Sequence, residues 1–142
     1  MKAFRRSRRR SSERGQALVE FALVGIIFFM FLFGLMEGTR AVWQYNTVAH
    51  AAREGTRYAI VHGSESSDPS GPASTVDIQD AVLDAAPNLS SGDVTVDVDY
   101  VDGSNDPGDK VEVEVRFDFS PMFFSVMPSL TMHSTSTMTI VH

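Results

Sequence analysis

Apolar residues run from Ala17 to Met36 with Glu20 as the only charge, a stretch of 20 residues. From Phe21 to Met36 the chain is apolar on every face of a helix, which is a membrane pattern rather than an amphipathic one. At the helical rise of about 1.5 Å per residue the run covers about 30 Å, the depth of a bilayer core. A secretory signal would have a shorter apolar region ending at an Ala-x-Ala-like site. Here the run leads into Glu37-Gly38-Thr39-Arg40. The pattern then changes. Over Ala41–Val61, Val42, Tyr45, Ala49, Ala52, Ala59 and Ile60 recur at three- and four-residue steps, with polar residues between them. This predicts an amphipathic continuation of the same helix, with one stripe toward a partner and the rest toward water. Gly55 weakens that helix without ending it. His62-Gly63 is the expected stop.

Ser64–Ser74 (SESSDPSGPAS) reads as a mobile Ser/Pro/Gly loop. Thr75–Ala86 reads as a short helix with a partial apolar face, capped by Thr75 or Asp77 and ended by Pro87-Asn88. Two clean alternations follow, Asp93–Tyr100 and Lys110–Phe119, each placing valines and aromatics on one face and charges on the other. Such alternation predicts half-buried strands. The segment Asp102–Asp109 between them has the chemistry of a hairpin loop. Leu130–Val141 is a third strand, rich in Thr and Ser. Pro121–Pro128, with Met122, Phe123, Phe124, Val126 and Met127, is an apolar crossover from the second strand to the third; it either completes the core or forms a contact patch. A small sheet with one apolar face needs a cover. The amphipathic half of the long helix is that cover, with the stripe of Tyr45, Ala49 and Ala52 against the valines. The expected fold class is therefore α+β: a long N-terminal helix, transmembrane in its first half and amphipathic in its second, packed on a three-stranded antiparallel sheet.

Charge sharpens this division. The net charge of −6 is the sum of two opposed parts. Residues 1–14 hold seven of the 12 basic residues and one of the 18 acidic ones. A basic tail can mark nucleic-acid binding, but a membrane span follows directly, and basic residues flanking a first span stay in the cytoplasm. We therefore expect no nucleic-acid partner, a single pass through the cytoplasmic (inner) membrane, contact with membrane lipid, and an acidic remainder on the far side. The organisation expected is a basic leader over 1–15, a transmembrane helix over 16–36, an amphipathic extension over 37–62 and an exported α+β domain over 63–142.

Candidate chemistry is sparse. There is no cysteine, so disulfides and thiolate metal sites are excluded. The aspartates Asp97, Asp99, Asp102, Asp106 and Asp109 lack the spacing of an EF-hand loop and are ordinary turn residues. His50, His62, His133 and His142 show no metal-ligand spacing. No G-x-S-x-G, P-loop or G-x-G-x-x-G sequence occurs. The expectation is no enzyme, no cofactor and no metal.

The informative junction is Arg14-Gly15-Gln16-Ala17-Leu18-Val19-Glu20-Phe21. An acid near the start of a membrane-length helix is costly and needs a function or a partner. Gly-x-x-x-x-Glu ahead of an apolar helix resembles the substrates of type IV prepilin peptidases, which cut after the glycine. The processing residues would be Gly15, Gln16, Glu20 and Phe21, with Gln16 as the new N-terminus. Glu20 can then pair with the α-amino group of Gln16 in a neighbouring subunit, since an acid–amine pair is favourable where an unpaired acid is not. Farther along, the i, i+4 pairs are Arg53 with Arg57, repulsive, and Glu54 with Tyr58, neutral. With no evident internal satisfaction, Glu37, Arg40, Arg53, Glu54 and Arg57 join Glu20 as candidate assembly contacts.

Arg14–Tyr58 closely resembles the TadE-like family, minor pseudopilins of tight-adherence (Tad, or Flp) pilus systems. The matching residues are Arg14-Gly15, Ala17, Val19-Glu20-Phe21-Ala22-Leu23-Val24, Glu37-Gly38-x-Arg40 and Ala51-Ala52-Arg53-Glu54-Gly55-x-Arg57. They cover about a third of the chain. One departure is Gly25, where the family usually carries proline; it does not touch processing. The resemblance implies a pilin-like fold and a membrane precursor cut by a dedicated prepilin peptidase. It implies as partners the Flp pilin, other TadE-like pseudopilins, an inner-membrane platform and a secretion ATPase complex. It implies a role in pilus assembly, adhesion and biofilm formation. The alternative is a signal-anchored envelope adhesin or ligand-binding module whose anchor is never cut.

Overall fold

The computed structural model describes residues 7–71, 74–89, 92–123 and 128–141, with side chains from residue 15 onward. The charged side chains of the basic leader therefore lie outside the described residues. The chain divides into two units, Met1–Gly38 and Thr39–His142. Helix α1 runs over Ser7–Val61. In the first unit it carries the apolar run, whose large side chains stand open: Phe21 is 79% exposed and Phe31 64%. The most apolar 18-residue window of α1 has a mean hydropathy of 2.6, with none of it buried. A soluble helix does not expose so continuous an apolar surface. Among the described residues, α1 is the one helix long and apolar enough to cross a membrane.

The second unit is α+β. Helix α2 spans Val76–Asp84, and strands β1 (Val94–Tyr100), β2 (Lys110–Phe119) and β3 (Leu130–Thr139) follow. The strands form one antiparallel sheet in the order β1-β2-β3. Val96 lies opposite Val115 and Val98 opposite Val113, while Phe117 lies opposite Met132. The alternation read from the sequence sets which face is buried: Val111, Val113, Val115, Phe117 and Phe119 are all inside. β2 and β3 are antiparallel neighbours, so the connection between Phe119 and Leu130 joins adjacent strands. Residues 124–127 of that connection, with Phe124, Val126 and Met127, lie outside the described residues.

The part of α1 within the second unit covers the sheet, as expected, through a stripe that keeps Ala52 and Ala59 of the expected one but leaves Val42 and Tyr45 outside. Val48, Ala51, Ala52, Thr56 and Ala59 are buried, whereas Val42 and Tyr45 are 63% and 49% exposed. The physical reason is size. Small side chains let the helix approach closely, and Gly55 marks the closest point. A Cβ added there would sit 2.3 Å from Val82 Cγ2 and 3.3 Å from Val113 Cγ1, so α2 and β2 both reach the helix backbone at that position. Gly55→Ala would gain about 1 kcal/mol of helix propensity but overpack a full core at about 1–3 kcal/mol. Both Val82 and Val113 are fully buried and have nowhere to go. We therefore expect Gly55→Ala to lower the thermal midpoint of the second unit; an unchanged or raised midpoint would show that the contact is slack.

Polar bonds fix the orientation of α1 on the sheet. Thr56 Oγ1 donates to Ala52 O at 2.7 Å and lies 3.1 Å from Ser136 O on β3. Val141 N donates to Ile60 O at 3.0 Å. The segment after α1, expected to be mobile, is tied down over Ser64–Ser70. Ser64 N donates to Asn105 O at 2.8 Å and Ser70 N to His62 O at 2.6 Å. Asn105 Nδ2 donates to Ser70 O at 2.5 Å. The tip of the β1–β2 hairpin is thus the partner that orders this loop. Gly103 and Gly108 supply the turns of that hairpin, with φ of 84° and 102°, a region that favours glycine. Thr75 occupies the N-cap of α2 without a side-chain capping bond. Asp77 in the first turn suits the helix dipole instead.

Candidate processing and assembly site

The helix that carries Gly15 is continuous through it. Gly15, Gln16 and Glu20 are exposed, and Phe21 is 79% exposed. A Cβ at Gly15 would meet nothing within 4 Å, and the same holds at Gly25, Gly34 and Gly38. Helix packing in this unit therefore does not require glycine at position 15. Glu20 makes no hydrogen bond or ion pair among the described residues. It is an acid set in an apolar surface, one turn beyond the glycine.

The other candidate assembly residues fall into different settings. Glu37 is buried at 8% exposure, a departure from a solvated face. Arg40 is half-buried. Its Nη1 donates to Ser120 O at 3.3 Å, and its guanidinium carbon lies 5.1 Å from the Phe119 ring centroid. Such a stack over an aromatic face is favourable for arginine. Glu54 and Arg57 form an i, i+3 ion pair at 3.4 Å. They satisfy each other in part, which a reading of i, i+4 pairs alone overlooks. The pair is well exposed and adds little to stability. Arg53 is exposed and forms no ion pair among the described residues. Hence the five residues do not form one cluster; Arg53, Glu54 and Arg57 share an outward stretch of α1, and Arg40 is committed to the end of β2.

Beside that stretch, α1 and α2 border a shallow groove lined by His50, Glu54, Arg57, Tyr58, Asp77 and Asp80. Tyr58 stacks on His62 with ring centroids 3.9 Å apart. Desolvation, then the carboxylates of Asp77 and Asp68, push the Tyr58 phenol above its ordinary value. The aspartates of the hairpin act as turn and sheet residues. Asp102 Oδ2 accepts from Lys110 N at 3.0 Å, Asp106 Oδ1 accepts from Ser64 at 2.7 Å, and Asp109 accepts from Ser104. Asp97 and Asp99 lie opposite Glu114 and Glu112 on the outer sheet face. Like charges in that arrangement repel. Arg116 relieves the Asp97–Glu114 pair with two bonds to Glu114 at 2.9 and 2.6 Å. Those bonds hold the Glu114 carboxyl below the usual range. Among the described residues, no group of three or more His, Cys, Asp or Glu side chains is arranged to hold a metal ion.

Sequence reasoning missed Gln44. It is buried on α1, and its Oε1 has no hydrogen-bond donor among the described residues. An orphaned buried carbonyl of this kind costs about 1–3 kcal/mol. No local signal distinguishes it from the exposed Asn46 two positions on.

The span from the open glycine through the Glu54–Arg57 pair is the part of the chain with a recognisable relative. Residues 15–57 match the family model of TadE-like proteins. No curated protein and no solved structure matches the chain. The TadE-like segment begins at Gly15 and ends at Arg57, so it takes in Glu20, Glu37, Arg40 and Arg53, and the sheet lies outside it. The TadE-like family implies involvement in Tad pilus systems. The apolar stretch of α1 is consistent with a membrane-anchored component of such a system.

Proposed function

We propose that this chain is a minor pseudopilin of a Tad-type (Flp) pilus, made as a membrane precursor and cut by a prepilin peptidase between Gly15 and Gln16. The observation that carries the reading is the pairing of an open Gly15 with an unbonded Glu20 at the head of the TadE-like segment. An exposed helical glycine with open space around it forfeits about 1 kcal/mol relative to alanine. An acid in an apolar run is a liability in lipid. Neither residue serves the fold, and both serve a peptidase site followed by an intersubunit pairing site. The other open glycines share the first property; the fixed spacing to Glu20 singles out Gly15.

In this reading the basic leader stays in the cytoplasm, α1 crosses the inner membrane once, and the acidic unit stands outside. Glu20 pairs with the α-amino group of Gln16 in an adjacent subunit. Arg53, together with Glu54 and Arg57, contacts neighbouring subunits along the outward stretch of α1. The partners are the Flp pilin, other TadE-like pseudopilins, the inner-membrane platform and the secretion ATPase complex, and the outcome is pilus assembly supporting adhesion and biofilm formation.

Co-expression with the cognate prepilin peptidase, followed by intact mass, tests the cut. The expected product lacks residues 1–15 and begins at Gln16. Retention of the leader in the wild-type chain overturns the pseudopilin reading and leaves an envelope adhesin with an uncut anchor in its place.

A further inference from the structure

Within the second unit, α1 and α2 border a groove of about 820 Å³, with an α1 wall from His50 to His62 and an α2 wall from Asp77 to Ala85. The two walls carry unequal charge. On α1, Arg57 is neutralised by Glu54 at 3.4 Å. On α2, Asp77, Asp80 and Asp84 stand three and four residues apart, along one side of the helix. All three are exposed, and none forms an ion pair or a side-chain hydrogen bond among the described residues. Asp80 and Asp84 do not serve α2 itself. Like charges at that spacing repel, and Asp84 ends the helix, where the dipole disfavours an acid.

The cation that matches them is on α1, on a side that the groove of the same chain does not include. Gly55 faces Val82 on α2. Arg53, two residues earlier, lies about 200° around the helix from Gly55, at about 100° per residue, and takes no part in lining the groove. Arg40 and Arg57 have partners, whereas Arg53 is exposed and has no partner among the described residues. Val42, Asn46 and Ala49 precede it at three- and four-residue steps. This side of α1 therefore presents one cation and no acid.

We propose that the α1–α2 groove of one copy receives the Arg53 side of α1 from a second copy, with the two α1 helices side by side and pointing the same way. This rests on the pseudopilin reading, in which like subunits share one membrane orientation. Arg53 falls between His50 and His62 along α1, so parallel helices at one level bring it to the neighbour's groove. There its guanidinium meets Asp77, Asp80 and Asp84. The occupant is a second copy because both halves of the contact, opposite in charge and on different sides of α1, belong to this chain. Groove against groove would set aspartates against aspartates. The contact is therefore heterologous, and each pair keeps a free groove at one side and a free Arg53 at the other. Charge complementarity of this kind fixes partner and register more than affinity, so register is what the test reads.

Arg53→Lys keeps the cation and lets a carbodiimide join it, as an amide, to a carboxylate it touches. The full chain carrying Arg53→Lys is prepared in light and heavy-nitrogen forms, mixed in detergent, reconstituted in phosphatidylcholine–phosphatidylglycerol vesicles and crosslinked. Mass spectrometry then separates links within one chain from links between two. Lys110, exposed on β2, reports chance encounters. The expected result is mixed light–heavy links from residue 53 to Asp77, Asp80 or Asp84, in excess over links from Lys110. Adding Asp80→Arg is expected to lower the yield at Asp77 and Asp84. Combining Arg53→Asp with Asp80→Lys is expected to restore the link with the two roles exchanged. Links confined to one isotope form place residue 53 against its own chain and overturn the proposal. Links spread over exposed carboxylates in the manner of Lys110 overturn it as well. Cleavage to Gln16 by the peptidase without mixed links overturns the second copy as occupant and leaves the pseudopilin reading in place. Mixed links to the three aspartates in a chain that keeps residues 1–15 support the contact and overturn the pseudopilin reading instead.

Discussion

Ala52→Asp is expected to abolish the cooperative melting transition of the Thr39–His142 unit. Ala52 is fully buried on α1, one turn before Thr56 and three residues before Gly55, at the stripe where the helix meets the sheet. Its backbone oxygen already accepts the Thr56 hydroxyl at 2.7 Å. A carboxylate at this position would be enclosed by a core containing Val48, Val113 and Val115. No basic side chain belongs to that core among the described residues. Burying an unpaired charge costs several kcal/mol even after relaxation. A small domain has about 5–15 kcal/mol of stability in all. The close approach of Val82 and Val113 at Gly55 gives the helix little room to shift and rescue the charge. The measurement is a circular-dichroism melt of the purified chain in detergent, with Arg53→Asp as the control. Arg53 is one residue away and exposed, so its substitution should leave the transition in place. A wild-type melt for Ala52→Asp would show that α1 does not cover the sheet.

The position of Ala52 also shows how far the sequence could be read. The strands were legible because period-two alternation is a local signal: Lys110–Phe119 is recovered whole, and β1 and β3 differ from their expected ranges by one or two residues at their ends. The apolar run was legible because twenty residues of unbroken hydropathy leave few alternatives. The packing stripe of α1 was legible only in part. Hydropathy gives weight to Val42 and Tyr45, whereas the helix packs through Ala51, Ala52, Gly55, Thr56 and Ala59. What decides there is closeness of approach, which favours the smallest residues and is set by Val82 and Val113 on other elements. The ordering of Ser64–Ser70 was invisible for a similar reason. Its partners, Asn105 and Asp106, lie some 35–42 residues away. The processing candidates Gly15 and Glu20 were readable because spacing along one helix is local. The Arg40–Ser120 bond, with a separation of 80 residues, was not.

Glu20→Ala is expected to be inserted and cut normally yet to support no pili, whereas Gly15→Ala is expected to be inserted and left uncut. The contrast follows from what each residue can do. Gly15 lies at the bond that the proposed peptidase cut would open, in open space where a methyl group disturbs nothing in the fold. On the proposed cut, any loss from Gly15→Ala would therefore be a loss of processing, since a residue without a side chain would be needed at the cut. Glu20 is exposed on α1 and unbonded among the described residues. Deleting its charge removes a cost of membrane insertion, since an acid at mid-membrane depth costs about 2.5–3.5 kcal/mol by insertion measurements and less near the interface. Greater ease of insertion cannot account for a failure to assemble. What Glu20→Ala would remove, on the proposed pairing, is the partner for the α-amino group of Gln16 in the adjacent subunit, and an unpaired amine in low dielectric is costly in its turn. Three readouts separate the cases: membrane fractionation for insertion, intact mass for cleavage, and electron microscopy of shed pili for assembly. Normal piliation in Glu20→Ala would sink the pairing role while leaving the cleavage site untouched. Loss of cleavage in the same variant would instead place Glu20 in the peptidase's recognition and remove the separate argument for assembly.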